Sequence, residues 1–380
     1  MTNGPEAIGR SKPALIRIIV ATSLIAASST TGFVLVELLS HFFVPWTEGA
    51  YSSNNRIMFF EGGGTIFENH EDIFTYVPNS EIRHEAVYFS DDDFVVEYDY
   101  HFHTNNYGLV QEAGLAPARP SLLLLGNSFT EGQGAEPWFS ELATPRKDVE
   151  YQMINGGLIG TGFEQWSKLA RFLSEQGIKV EKVLILFISG DYTRRVWNFS
   201  PSILDCLAML AACRGDEGFY RLPPASDLPP WVTKIRALRT QTGTATKYPF
   251  QGGARSWLPA TFHVYDYWRA KFEKSSDIEL AKQRSDAAIG TIIRRYGASN
   301  VVFMHLPQKD EPNGPSQQGV DVRRAIRNAG GNLIDGYTPC RLTALDYHVH
   351  DGHPNTQGYG KIAHCVSRVV QQMATSGSDR

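Results

Sequence analysis

The chain reads as an α/β protein: a parallel sheet between two layers of helices, preceded by an N-terminal membrane-spanning helix and a small β-rich lead-in. Three observations predict this. Short apolar runs alternate with segments of helical period, a rhythm that covers both faces of a parallel sheet with helices. A long apolar run lies close to the N-terminus. Between the two, residues alternate polar and apolar with a period of two, as short half-buried strands do.

Residues 1–17 carry Arg10, Lys12 and Arg17, and residues 18–39 are mostly apolar. About 20 helical residues cross the hydrocarbon core of a bilayer, so this run is long enough. The basic flank stays on the cytoplasmic side, which sends the rest of the chain outside. A cleaved signal peptide ending near Ala26-Ala27-Ser28 and a buried soluble helix are the competing readings. Four cysteines fit an exported chain, and sequence proximity pairs Cys206 with Cys213 and Cys340 with Cys365. Four reduced, buried cysteines are the alternative. The 380 residues have a formal net charge of −4 and no basic stripe, which argues against a nucleic-acid partner.

Residues 40–118 form a tether and the β-rich lead-in, exemplified by the alternation from Val96 to His103. Pro117 and Pro120 mark the entry to the main domain, residues 119–375. There, strands are expected at 121–125, 151–154, 183–188 and 301–305, with a weaker fifth at 332–334. Helices are expected at 164–176, 278–296, 320–329 and 356–374. Residues 192–275 break the rhythm. With Cys206, Cys213, proline pairs and many aromatics, they read as an insertion that borders the site.

The chemistry concentrates at two points. Four leucines, 122–125, end at Gly126, and Ser128 follows. A hydroxyl at the carboxyl end of a buried parallel strand lies where open α/β sheets collect catalytic groups. Serine needs a neighbouring base to act as a nucleophile; helix N-capping is its ordinary alternative role. Asp351-Gly-His353-Pro-Asn355 supplies an imidazole and a carboxylate two residues apart. In an extended or turn segment these project to one side, so Asp351 orients the imidazole and His353 removes the proton. A loop histidine and an Asx turn are the plainer readings. The N–H groups of Ser128 and Gly157 are candidate oxyanion donors. A zinc site from His348, His350, Asp351 and His353, or from His101 and His103, is a weaker competitor, since the Asp-Gly-His string is already accounted for. No metal or cofactor is expected.

Gly-Asn-Ser128-Phe-Thr-x-Gly, Asn155-x-Gly157-x-x-Gly160 and Asp351-Gly-His353-Pro-Asn-x-x-Gly358, in that order, resemble the SGNH/GDSL hydrolase superfamily. The resemblance spans about residues 121–370. It implies a flavodoxin-like three-layer sandwich, esterase activity, Ser128 as nucleophile, Asp351 and His353 as its partners and Gly157 as a backbone donor. The chain departs from the family pattern twice. Asn127 replaces the aspartate of Gly-Asp-Ser. Gly190 stands where the third block, Gly-x-Asn-Asp, places an oxyanion-binding asparagine, leaving Gly190 a backbone N–H to offer, with Thr193 or Asn198 as substitute side chains. Gln308, after the fourth strand, is a candidate substrate contact. Arg194 and Arg195 are candidates for an anionic substrate, although paired arginines are more often surface charge.

The resulting expectation is a membrane-anchored extracytoplasmic serine esterase removing O-acyl, above all O-acetyl, groups from a surface glycan or polysaccharide. O-acyl transfer to such a glycan, and a catalytically impaired glycan-binding module, are the alternatives.

Overall fold

The computed structural model describes residues 12–43, 55–89, 93–136, 138–143, 151–242, 258–311 and 314–375. The chain divides into two compact units, 1–48 with 247–274, and 49–246 with 275–380.

In the first unit, helix α1 (Lys12–Phe43) contains the apolar stretch Ile16–Leu39, long and apolar enough to cross a membrane. Its Ser/Thr cluster does not interrupt it. Thr22, Ser28, Thr30 and Thr31 each donate a hydroxyl to the carbonyl four residues earlier, which hides the polar groups along the helix. Leu24 and Ile25 are 64% and 67% exposed. Near the far end, Glu37 is buried and accepts the backbone N–H groups of Ala260 and Thr261, the start of a second helix. A carboxylate there meets the positive end of the helix dipole.

The second unit begins with the lead-in strands β1 (Arg56–Glu61), β2 (Phe67–His70), β3 (Ile73–Tyr76), β4 (Glu81–Phe89) and β5 (Phe94–His103). The expected alternation is present in β5: Tyr98, Tyr100 and Phe102 turn inward, and Asp99, His101 and His103 outward. Next come β6 (Ser121–Gly126), α2 (Ser128–Glu131), α3 (Phe139–Ala143), β7 (Gln152–Gly157), α4 (Phe163–Glu175) and β8 (Val180–Phe187). The segment read as an insertion holds α5 (Pro201–Ala208), β9 (Phe219–Arg221) and α6 (Leu228–Thr242). Helix α7 (Pro259–Tyr296) runs through residue 275, so that boundary falls inside a helix. The chain closes with β10 (Val301–His305), α8 (Gln317–Asn328), β11 (Asn332–Asp335), α9 (Tyr337–Cys340) and α10 (Thr356–Thr375).

The main sheet has the order β11-β10-β8-β6-β7, parallel throughout. Counting only these strands along the chain, this is the 2-1-3-4-5 order of the flavodoxin-like doubly wound fold. Alternate residues feed two cores. Leu123, Leu125, Ile185 and Phe303 face α4, α7 and α8; Leu122, Leu124, Leu184 and Met304 face α3 and α10. Burial on both faces explains why these strands read as unbroken apolar runs. Strand β11 is an edge strand with mixed exposure, hence its weak signal in the sequence.

The lead-in forms its own sheet, β5-β4-β1-β9, with β9 from the insertion parallel to β1. Phe60, Phe67 and Phe74 belong to the same core as Leu123 and Phe163. Disulfides join Cys206 to Cys213 and Cys340 to Cys365.

Candidate active site

The strand β6 ends at a point of close approach. A side chain at Gly126 would meet Thr130 Oγ1 at 1.8 Å, and one at Gly157 would meet the Glu131 backbone N at 2.1 Å. Both glycines let the short helix α2 fold tightly back on the strand ends. Asn127 caps α2, its Oδ1 accepting the Phe129 N–H at 2.7 Å. Ser128 is therefore the first residue of α2 rather than its cap.

Asn127 has a second task. Its Nδ2 donates to both carboxylate oxygens of Asp191, at 2.7 and 2.9 Å. Burial pushes Asp191 up to about 6, against the opposing pull of Arg194, the Ile188 N–H and Asn127. An aspartate at 127 would set a second carboxyl group against this one. The departure from Gly-Asp-Ser thus has a local electrostatic reason.

His353 and Asp351 come from a loop pinched by the Tyr347–Pro354 bridge. His353 Nε2 lies 2.7 Å from Ser128 Oγ, and His353 Nδ1 lies 2.5 Å from Asp351 Oδ1. The carboxylate fixes Nδ1 as the protonated nitrogen and leaves Nε2 to accept from the serine. Asp351 also receives the His353 backbone N–H at 3.1 Å. Burial alone would raise its carboxyl; the charge and hydrogen bond of His353, with Arg56 and Tyr88, hold it well below the usual carboxylate range.

The loop is anchored on several sides. Lys309 Nζ donates to the carbonyls of His348 and Val349. Glu97 on β5 receives the N–H of His350 at 2.8 Å and lies 2.5 Å from its Nδ1. His348 Nε2 is 2.8 Å from Gly134 O. Of the four residues considered for zinc, Asp351 and His353 pair with each other while His348 and His350 turn to Gly134 O and Glu97, and among the described residues no group of three or more metal-ligating side chains converges. His101 and His103 are exposed on β5.

The oxyanion candidates fare differently. The Ser128 N–H has no partner among the described residues. Gly157 does not offer an open donor: Asn155 Oδ1 accepts its N–H at 3.0 Å, and the helix α2 covers it. The same residue that makes the Asn-x-Gly pattern legible occupies the group it was expected to present. Gly190 lies in the 3-10 turn Ser189–Thr193 after β8, with its N–H 3.4 Å from Gln308 Oε1, near the limit of a hydrogen bond. The two candidates Gly190 and Gln308 are therefore neighbours. Thr193 accepts from Gln318, and Asn198 donates to His70 O and Glu71 O, so both substitute side chains are engaged elsewhere. Arg194 is bound to Asp191 and Thr161 O, and Arg195 to Asp277.

Beyond Gly190, Ser189 Oγ donates to Glu311 at 3.0 Å and lies 3.1 Å from His305 Nε2. Arg323 Nε donates to His305 Nδ1 at 2.7 Å, so Nε2 carries the proton and the imidazole is not a base for this second serine. The group is a clamp on the turn after β8. A cavity of about 840 Å³ is lined in part by Gln111, Trp138, Ser140 and Tyr359; Trp138 donates to Phe129 O and Tyr359 to Gln133 O, on the turn that carries Ser128.

Sequence reasoning missed Arg56, Tyr88, Tyr98, Glu97 and Lys309. The inward tyrosine of β5 was visible as alternation, but nothing local to Arg56 or Tyr88 announces a partner some 260 to 295 residues away.

The chain folds as a doubly wound α/β sandwich in which its serine and histidine segments meet. No family model matches it, and no curated protein matches it. Among solved structures it is similar to LAE5, an α/β hydrolase from the metagenome of Lake Arreo, Spain. Identity is 12% and the TM-score 0.32, covering 68% of this chain and 98% of that one. It is also similar to a Bacteroides ovatus protein described as a GDSL-like lipase, at 11% identity and TM-score 0.32, over 88% of this chain and 78% of the other.

Proposed function

We propose that the chain is a serine esterase of SGNH/GDSL type. The observation that carries this reading is the unbroken line Asp351 Oδ1, His353 Nδ1, His353 Nε2, Ser128 Oγ, with contacts of 2.5 and 2.7 Å at its two ends. In this scheme Ser128 Oγ attacks an ester carbonyl while His353 Nε2 takes its proton. Asp351 stays ionised and stabilises the imidazolium. The proton passes to the departing alcohol, and water activated by the same histidine releases the acid. The Ser128 N–H holds the developing oxyanion, joined by the Gly190 N–H as the carbonyl oxygen displaces Gln308 Oε1.

The preferred substrate is an O-acyl, above all O-acetyl, group on a surface glycan. The spanning-length helix α1, two disulfides and the family resemblance support an extracytoplasmic, membrane-anchored location and that substrate class. The family assignment of substrate is analogy.

A serine-directed fluorophosphonate tests the core of the reading. It labels wild type at Ser128, and not Ser128→Ala. A folded wild-type protein that resists labelling and cleaves no acetyl ester contradicts the reading in favour of a glycan-binding module. Acetylated sugar formed in preference to free acetate, from an acyl donor and glycan together, assigns acyl transfer instead of hydrolysis.

A further inference from the structure

The carboxylate of Asp351 has two oxygens, and only one serves His353. The other, Oδ2, is enclosed by the lead-in sheet. Arg56 at the start of β1 donates Nη1 at 3.1 Å, Tyr88 near the end of β4 donates its OH at 2.8 Å, and Tyr98 on β5 donates its OH at 3.2 Å. Tyr98 is itself held by Gln133 Nε2 at 2.6 Å, on the turn that follows α2. Arg56 is fixed from behind, since Arg239 on α6 donates to its carbonyl at 2.7 Å. The Arg56 side chain is 22% exposed and that of Asp351 2% exposed.

We propose that Arg56 is a positioning residue of the active site, and that with Tyr88 and Tyr98 it holds Asp351 for His353. The inference rests on the esterase reading above.

Its physical content is twofold. Three donors on Oδ2 leave Oδ1 as the acceptor for the imidazole and prevent the carboxylate from rotating. The charge of Arg56 also partly neutralises Asp351 as felt by His353, which weakens the imidazolium relative to the neutral base. The titratable and charged groups around this pair are Arg56, Tyr88, Tyr98, His84, His348, Lys309 with its ammonium 3.4 Å from the Asp351 carbonyl, and the Glu97–His350 pair. Burial lowers His84 and His348, and burial raises both tyrosines. Among the described residues Arg56 is the permanent cation bonded to the Asp351 carboxylate, whereas Lys309 reaches its backbone carbonyl.

The full chain, in detergent, decides the matter through the pH dependence of kcat on an acetyl ester. Removing the cation by Arg56→Gln stabilises the imidazolium, so the acid limb moves to higher pH, by roughly 0.5–1 unit. The kcat at neutral pH falls about tenfold, and KM stays within about twofold, because Arg56 acts through Asp351. Arg56→Lys retains most of the wild-type limb. Tyr88→Phe and Tyr98→Phe move the limb in the same direction by less, and they report if Arg56→Gln does not fold. A folded Arg56→Gln with the wild-type pH limb overturns the proposal. So does lost activity without a limb shift and without rescue by lysine, which marks a purely structural role. Fluorophosphonate labelling separates the two levels: no labelling of wild type rejects the esterase reading itself. Wild-type labelling with an unmoved Arg56→Gln limb rejects only the role of Arg56.

Discussion

Individual atoms decide how this site works. The pairing of Ser128 with His353 is direct, so Ser128→Ala and His353→Ala are expected to lower ester turnover by about 10⁴-fold or more, measured as kcat/KM. Asp351→Asn retains more activity than His353→Ala; the reverse order contradicts an orienting role. Gly190 offers a sharper experiment. A side chain added there has no atom within 4 Å, and its φ lies outside the left-handed region. Gly190→Asn is therefore expected to fold and to return the donor the family pattern places at this position. One such donor is typically worth about 10²–10³ in rate, so a rise in kcat of roughly tenfold or more is the expected outcome. Unchanged or lower kcat shows that Gly190 and Gln308 already fill that role.

At the scale of elements, the short helix α2 is buried along its whole length. Glu131 at its end is fully buried, bonded to Tyr76 OH at 2.8 Å, with Oε2 lacking a partner among the described residues. Burial pushes Glu131 up to about 8, against the smaller pull of Tyr76 and the Ile159 N–H. The folded protein then holds a proton that the unfolded chain releases near 4.5. Its contribution to stability is complete below that value and is lost as pH rises toward 8. Glu131→Gln keeps the shape without the titration. The melting temperature of this variant is expected to decline less than that of wild type between pH 5 and 8. Parallel curves exclude a buried, neutral Glu131. The element boundaries show the same dependence on context. Strands β6, β8 and β10 were legible because both faces are apolar. Only the last part of α7 was expected as helix, since the helical period is clear from 278 onward and aromatic and basic residues precede it.

For the whole molecule, the segment from 55 to 118 matters more than a tether would. Its aromatics share a core with β6 and α4, β9 from the insertion completes its sheet, and it supplies Arg56, Tyr88 and Tyr98 to Asp351. A chain beginning at residue 119 is expected to lose cooperative unfolding and ester turnover together. A soluble, active fragment of that length refutes this. Residues 144–150, and 243–257 within the segment read as an insertion, are outside the described residues.

The sequence by itself determined the alternation of strand and helix, the apolar N-terminal run and the two cysteine pairs, and it singled out Ser128, Asp351 and His353, which the fold brings together. Each depends on short-range pattern: the period of burial, the spacing of two side chains, the turn that a glycine permits. It did not determine where hydrogen bonds end. That Gly157 is occupied, that Gly190 and Gln308 meet, and that the second oxygen of Asp351 belongs to the lead-in sheet were decided by the tertiary structure. Such contacts join residues far apart in the chain, and a polar atom's partner is set by what folding brings within about 3 Å of it, not by its neighbours in sequence.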